Sequence, residues 1–372
     1  MNYSAPVAAA AANLSRSGSC RQDLWVRSAS PHVSALMFAA GVLGNAAALV
    51  LLEVRRRSKK KKRSYSAPSG SNLFQVLLTA LLVTDLLGTC SVSPLVMAAY
   101  ARNESLRALG GVGAGDGDGA IGAACAHFGL AMTFFSLVTL AVLTCMALER
   151  CVSIARPYFY ERHLGARCGY LALALVYALG ALFSVAPFVL GFRAFAQYCP
   201  GTWCFVDMVS SQPAHRVYKN VYATCLLVMI ACTVLCNASV IYHLVLMYRR
   251  RGLHRESLRR FQGSRCRRSL SQELEYLVLL AFMTITFLVC SLPLVIRLYN
   301  SSFSTNRNMD LTALLLLSVN PIIDPWVFII LSPPVPRLLW GALCKALRSP
   351  PREEKVPSSP SDLSQDGIAL QT

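Results

Sequence analysis

Long apolar runs alternate with short polar ones along the chain. Residues 35 to 52, 128 to 148, 169 to 192, 221 to 242 and 276 to 296 contain no Asp, Glu, Lys or Arg. Two further runs, 73 to 99 and 311 to 331, hold one carboxylate each, Asp85 and Asp324. Each run approaches or exceeds the roughly 18 to 20 apolar residues that cross about 30 Å of hydrocarbon as a helix. A buried helix of a soluble protein would show polar residues at helical spacing, whereas these runs are apolar all round. The pattern therefore predicts seven membrane-spanning helices, at about 32–54, 72–100, 121–153, 168–192, 217–248, 273–299 and 309–331.

Composition agrees: 55% of the 372 residues are hydrophobic and only 15% are charged, too apolar a balance for a soluble domain. The net charge of +18 resembles a nucleic-acid signal until the basic residues are sorted by loop. Segments 53–72, 149–168, 248–275 and the tail after 331 hold 26 of the 36 Lys and Arg. By the positive-inside rule these segments are cytoplasmic and the N-terminus is extracellular. "RRRSKKKKR" at 55–63 is then a topology anchor on anionic lipid, with nuclear localisation the weaker alternative and no nucleic-acid partner expected. Glycosylation sequons begin at Asn2, Asn13, Asn103 and Asn300, all on the outer side, while the sequon at Asn237 lies inside the fifth span and is expected to stay unmodified. No basic leader precedes the alanine-rich run 8–12, so the first span is expected to direct insertion. Of fourteen cysteines, only Cys20, Cys125, Cys199 and Cys204 are extracellular, and four cysteines allow three pairings.

The expected organisation is an extracellular segment 1–31, a seven-helix domain 32–331, an amphipathic membrane-surface helix 332–348 and a disordered cytoplasmic tail 349–372. In "PPVPRLLWGALCKAL" the residues Val335, Leu338, Leu339, Leu343 and Leu347 recur at helical spacing, and Cys344 is a candidate for lipidation or a plain thiol. The fold class is thus an all-α membrane protein, a seven-transmembrane bundle followed by a short amphipathic helix.

Ionisable groups inside a bilayer mark function or a polar network that glues helices. Asp85, Asp324, Asn45 and Asn320 are expected to form one such cluster midway through the bundle. Pro94, Pro187, Pro293 and Pro325 each remove a backbone donor and allow kinks, which open cavities between helices. At the inner end of the third span stands Glu149-Arg150, for which spacing alone favours interfacial anchoring. No metal-ligand spacing and no nucleophile beside a base appear in the spans, so no enzyme, metal or cofactor is expected. The spans do not repeat one another, which argues against a duplicated transporter.

"GVLGN" in the first span, "LLVTDLLG" in the second, Glu149-Arg150-Cys151 after the third and Asp324-Pro325 in the seventh resemble the rhodopsin-like G-protein-coupled receptors over residues 30 to 347. Within that class "QYCPGTWCF", "AMTFFSL", "CSLPL" and "DPWVF" resemble the prostanoid receptors. "YARNESL", "RPYFY" and "MTITFLVCSLP" are most similar to their Gs-coupled group, those for prostaglandin E2 first and those for prostacyclin and prostaglandin D2 next. The resemblance implies a plasma-membrane receptor for a prostanoid lipid, prostaglandin E2 foremost, acting through the heterotrimeric G protein Gs to raise cyclic AMP. It implies disulfides Cys125–Cys204 and Cys20–Cys199, which pin Pro200–Trp203 over the pocket as a lid and imply lateral ligand entry from the bilayer. It implies ligand contacts at Tyr100 and Thr202, pocket positions at Trp203, Met132 and Ser318, and a G-protein contact at Glu149, Arg150 and Cys151. The inner loop 249–268, with nine arginines, is a second G-protein surface or a solvated basic face.

One position departs from the family. Its members carry in the seventh span an arginine for the ligand carboxylate, and this chain has Leu315 there. A charge-assisted bond lost from a dry pocket costs on the order of 1.5 to 3 kcal/mol, about ten- to a hundredfold in affinity. Arg297 is the nearest alternative cation, with snorkelling to the interface as its competing role. The expected orientation is directly checkable: an N-terminal epitope should stain on intact cells, and a C-terminal one only after permeabilisation.

Overall fold

In hydrocarbon every backbone N–H and C=O has to be satisfied within the chain, so each apolar run closes its hydrogen bonds as a helix. A computed structural model of the protein describes residues 26, 31–62, 71–111, 122–209, 212–254, 265–300 and 307–331. Helices α1 (Pro31–Lys62) and α2 (Ser71–Arg102) are followed by the single turn α3 (Leu106–Leu109). Then come α4 (Ala123–Ala155), the short α5 (Pro157–His163) and α6 (Ala166–Val189). A hairpin of β1 (Phe195–Tyr198) and β2 (Trp203–Val206) leads to α7 (Pro213–His254), α8 (Arg265–Tyr299) and α9 (Arg307–Leu331). Seven of these helices, α1, α2, α4 and α6 to α9, are long and apolar enough to cross a membrane.

Their burial is uneven, and the unevenness locates the core. The apolar stretch of α4 is 67% buried, against 22% for that of α6. Helix α4 touches α2, α3, α5, α6, α7, α8 and both strands, while α1, α2, α7, α8 and α9 pack in sequence around it and α9 closes on α1. On α6 the outward residues Leu171, Leu175, Leu179 and Leu182 recur on one face and are all exposed. Such a stripe requires lipid to cover it.

The α1–α9 seam explains the glycines of "GVLGN". A Cβ at Gly44 would stand 2.8 Å from the Trp326 indole nitrogen, so only glycine admits that ring. The indole N–H in turn donates to the Ala40 carbonyl across 3.3 Å. Pro94, Pro187, Pro293 and Pro325 lie inside helices as expected, and Pro321 joins Pro325 within α9.

The hairpin pairs Phe195 with Val206 and Tyr198 with Trp203, antiparallel. Cys204 is joined to Cys125 at the start of α4, and Cys199 is also disulfide-bonded. The Leu106 amide donates to the Gly201 carbonyl at 2.9 Å, and the Arg107 amide to Gln197 Oε1 at 3.0 Å. The Tyr198 hydroxyl donates to the Val206 carbonyl at 2.8 Å and accepts from the Met208 amide at 3.1 Å. Thus α3 and the chain after β2 brace a short sheet that would be marginal alone.

Several expectations are refined. The first span was expected to end near 54, yet α1 runs on through the basic run to Lys62, because Arg and Lys are good helix formers once clear of the hydrocarbon. The hairpin, α3 and α5 were not foreseen: each is too short to show a periodic signal. Asn103, at φ 54° after α2, and Asn300 are exposed. Asn237 is buried and its amide donates to Thr284 Oγ1 at 2.5 Å, a position no glycan reaches. Asn2, Asn13, Cys20, the 332–348 helix, Cys344 and the 349–372 tail lie outside the described residues.

The close approach of the hairpin to α4 gives a test. A Cβ at Gly129 would meet the Phe195 ring at 2.6 Å. Gly129→Val should lower the thermal stability of purified protein by about 1–3 kcal/mol. Phe195→Ala, which opens that space, should recover part of the loss in the double variant, measured as a coupling energy.

Candidate functional site: a cavity beneath the hairpin and a buried ion pair

A cavity lies between α1, α2, α4 and α9, bounded by Trp203 of β2 and by Phe287 of α8. Phe128 of α4 meets Trp203 edge to face at 5.7 Å, so β2 forms one wall of it. Met132, Trp203 and Ser318, expected as pocket residues, all line it. Tyr100, Thr202 and Leu315 do not, although each is nearby along the chain. Tyr100 sits one turn beyond Val96, a lining residue of α2, and is half-buried. Thr202 precedes Trp203, is fully buried, and its hydroxyl has no partner among the described residues. Leu315 packs against the core one turn from Ser318, whose hydroxyl donates to the Leu315 carbonyl at 2.8 Å.

The floor of the cavity carries the polar residues. Asp85 and Asn320 both line it. Asp85 Oδ1 accepts from the Thr139 hydroxyl at 2.8 Å. The Asn45 amide donates to the carbonyls of Gly41 and Pro321, both at 3.0 Å, joining α1 to α9. The second bond exists because Pro325, four residues on, has no N–H to engage the Pro321 carbonyl. The Asn320 amide donates to Asp324 Oδ2 across 3.4 Å, and Asp324 is close enough to Asp85 to interact electrostatically. The four expected residues are therefore not a direct ring: Asn45 reaches α9 at the Pro321 carbonyl, Asn320 pairs with Asp324, and Asp85 is hydrogen-bonded to Thr139 of α4.

Arg297 corrects an expectation. It does not snorkel: it is 8% exposed, and its guanidinium contacts Asp310 Oδ1 from Nε at 2.8 Å and from Nη2 at 2.5 Å. Asp310 stands in the first turn of α9, where the helix dipole favours a carboxylate, and the pair ties α8 to α9.

Glu149 and Arg150 correct another. Interfacial anchoring would leave them exposed, yet they are 5% and 4% exposed. Arg150 Nε and Nη2 contact Glu149 Oε2 and Oε1 at 2.6 and 2.9 Å, a two-point charge-assisted pair. The Tyr160 hydroxyl of α5 donates to Glu149 Oε1 at 2.5 Å, and the guanidinium lies 4.5 Å from the centre of the Phe74 ring of α2. Cys151 beside them is half-buried. Sequence reasoning missed Phe74 and Tyr160. Phe74 gives no local signal, being a whole helix away, whereas Tyr160 is legible in the "ARPYFY" turn, where Pro157 starts a new helix and turns the chain back.

Seven spans with α4 at their core, a cavity beneath a disulfide-tethered hairpin and a buried Glu-Arg pair at the other end form the frame of a membrane receptor. The family model for seven-transmembrane receptors of the rhodopsin family matches residues 47–328, and the chain belongs to that family. It is 46% identical over 342 residues to the prostaglandin E2 receptor EP2 subtype of the dog, covering 89% of this chain and 90% of that one. It is 44% identical to the human EP2 subtype receptor over 367 residues, 95% of this chain and 98% of that one. The human prostacyclin receptor is 40% identical over 346 residues, 92% of this chain and 83% of that one. The protein is thus a multi-pass plasma-membrane receptor of this family, similar over most of its length to the prostanoid receptors, and not an enzyme.

In this arrangement Arg150 is held by Glu149 and Phe74, and Glu149 in turn by Tyr160, which gives a prediction. Tyr160→Phe removes one bond to Glu149, worth about 0.5–1.5 kcal/mol or up to about tenfold. It should raise ligand-free nucleotide exchange on a G protein severalfold, and Glu149→Gln more, read in membranes at matched receptor density.

Proposed function

We propose that this receptor responds to prostaglandin E2, couples to Gs and raises cyclic AMP, with its N-terminus outside the cell. The observation that carries the reading is the extent of the likeness: both EP2 subtype receptors align with about nine-tenths or more of the chain. Coupling to Gs rests on the motifs "YARNESL", "RPYFY" and "MTITFLVCSLP".

In this reading the lipid lies in the cavity against Met132, Trp203 and Ser318, with Thr202 and Tyr100 offering hydroxyl donors toward its polar end. Leu315 stands where the family's arginine would meet the carboxylate. Asn45, Asp85, Asn320 and Asp324 form the network that rearranges on activation. Arg150, released from Glu149, then contacts the G protein together with Cys151. Glycans are carried on the outer side at Asn2, Asn13, Asn103 and Asn300. Residues 1–31 are the extracellular segment, 332–348 an inner-leaflet helix and 349–372 the tail. The prostacyclin receptor, at 40% identity over 92% of the chain, supports a second reading in which prostacyclin is the agonist.

Cyclic AMP in transfected cells, measured across prostaglandin E2, prostaglandin D2 and a stable prostacyclin analogue, should rise most steeply with prostaglandin E2. Silence to all three despite surface expression would overturn the reading.

A further inference from the structure

The polar character of the cavity wall is unusual for a site that would receive an anion. Among its lining residues the one ionisable side chain is Asp85, an acid, and none is Lys, Arg or His. Two buried cations outside it are engaged: Arg297 with Asp310, and Lys219 with the Met208 carbonyl at 3.2 Å. Five of the seven hydroxyls of the wall, all but Ser34 and Ser93, are committed as well. Thr84 donates to the Ala80 carbonyl, Thr89 to the Asp85 carbonyl, Ser136 to the Thr133 carbonyl and Ser318 to the Leu315 carbonyl, at 2.7 to 3.0 Å. Thr139 donates to Asp85 Oδ1 at 2.8 Å. With their protons turned to the protein, these groups present oxygen lone pairs to the cavity. Asp85 Oδ2 has no partner among the described residues and adds a further acceptor.

A carboxylate is acceptor-only and charged. Entering this cavity, it would lose its hydration, find no counter-charge among the described lining residues and face more acceptors than donors. An alcohol or an N–H amide carries no charge, loses less on leaving water and can donate to Asp85 and to the five committed hydroxyls. Leu315, one turn from Ser318 on α9, packs against the core just outside the lining and is hydrocarbon where the family's arginine would bring a cation.

We propose that the receptor selects an uncharged prostanoid whose carboxyl end is an alcohol or an N–H amide over the corresponding free acid. The inference rests on the prostanoid reading above and concerns the form of the ligand.

The test compares prostaglandin E2 with its ethanolamide and its primary alcohol, both resistant to esterases, by ligand-stimulated nucleotide exchange in membranes. On the unaltered receptor the two neutral compounds should be more potent than the acid by about tenfold or more. Leu315→Arg should move the ranking toward the acid by about ten- to a hundredfold, and the neutral Leu315→Gln should not. The wild-type ranking decides the matter even if Leu315→Arg fails to reach the membrane. An acid equal to or more potent than its neutral derivatives overturns the inference, leaves the prostanoid reading standing and means that a cation reaches the ligand from outside the described residues. Silence to all three compounds, with Glu149→Gln still driving exchange, overturns the prostanoid reading and the inference together.

Discussion

Where no water is available, each buried polar side chain has to be answered by another group of the protein, and in this receptor the answers converge on α4. Thr139 answers Asp85 of α2, Ser136 shares a hydrogen bond of 2.8 Å with Tyr222 of α7, and Thr144 shares one of 3.0 Å with Thr233 of α7. Glu149 receives Tyr160 of α5, and Cys125 is bonded covalently to β2. Four elements, α2, α5, α7 and β2, are thereby fixed against one axis. Hydrophobic contact alone could not do this, because lipid tails are as apolar as the helix faces they would replace.

The same axis joins two sites of opposite character. At the hairpin end, α4 forms one wall of the cavity through Phe128 and Met132, and Ser136 and Thr139 continue that wall toward the polar floor. At the other end it carries Glu149 and Arg150, an ion pair closed by aromatic residues from α2 and α5. Between them lies the group of Asp85, Asn45, Asn320 and Asp324, in which α9 is bonded to α1 by a carbonyl freed by proline. A network built on a proline-freed carbonyl and a 3.4 Å amide contact has weaker bonds to break than a continuous helix ladder. It is therefore a natural place for two arrangements to exchange.

The treatment of charge differs along the molecule. At Arg150 and Arg297, two of the buried cations, a carboxylate stands within 2.9 Å. Among the described residues of the cavity wall there is no cation, and Thr84, Thr89, Ser136 and Ser318 donate to carbonyls of their own helices. The contrast follows from cost: a buried guanidinium without a partner is expensive, whereas a hydroxyl can satisfy itself on the carbonyl one turn back.

The sequence by itself determined that seven helices cross a membrane, because that outcome depends on the length and uniformity of apolar runs, which are local quantities. It also marked Asp85, Asp324, Asn45 and Asn320, since a polar group in such a run stands out without reference to anything else. What it could not determine were partners. Arg297 looked like an interfacial cation and Glu149-Arg150 like an anchor until Asp310, Tyr160 and Phe74, distant or outside the pattern, were found beside them. Only the tertiary structure decided which way each hydroxyl of the cavity points and that Leu315 lies a turn above a wall without cations. Those are properties of several helices meeting, and no one span carries them.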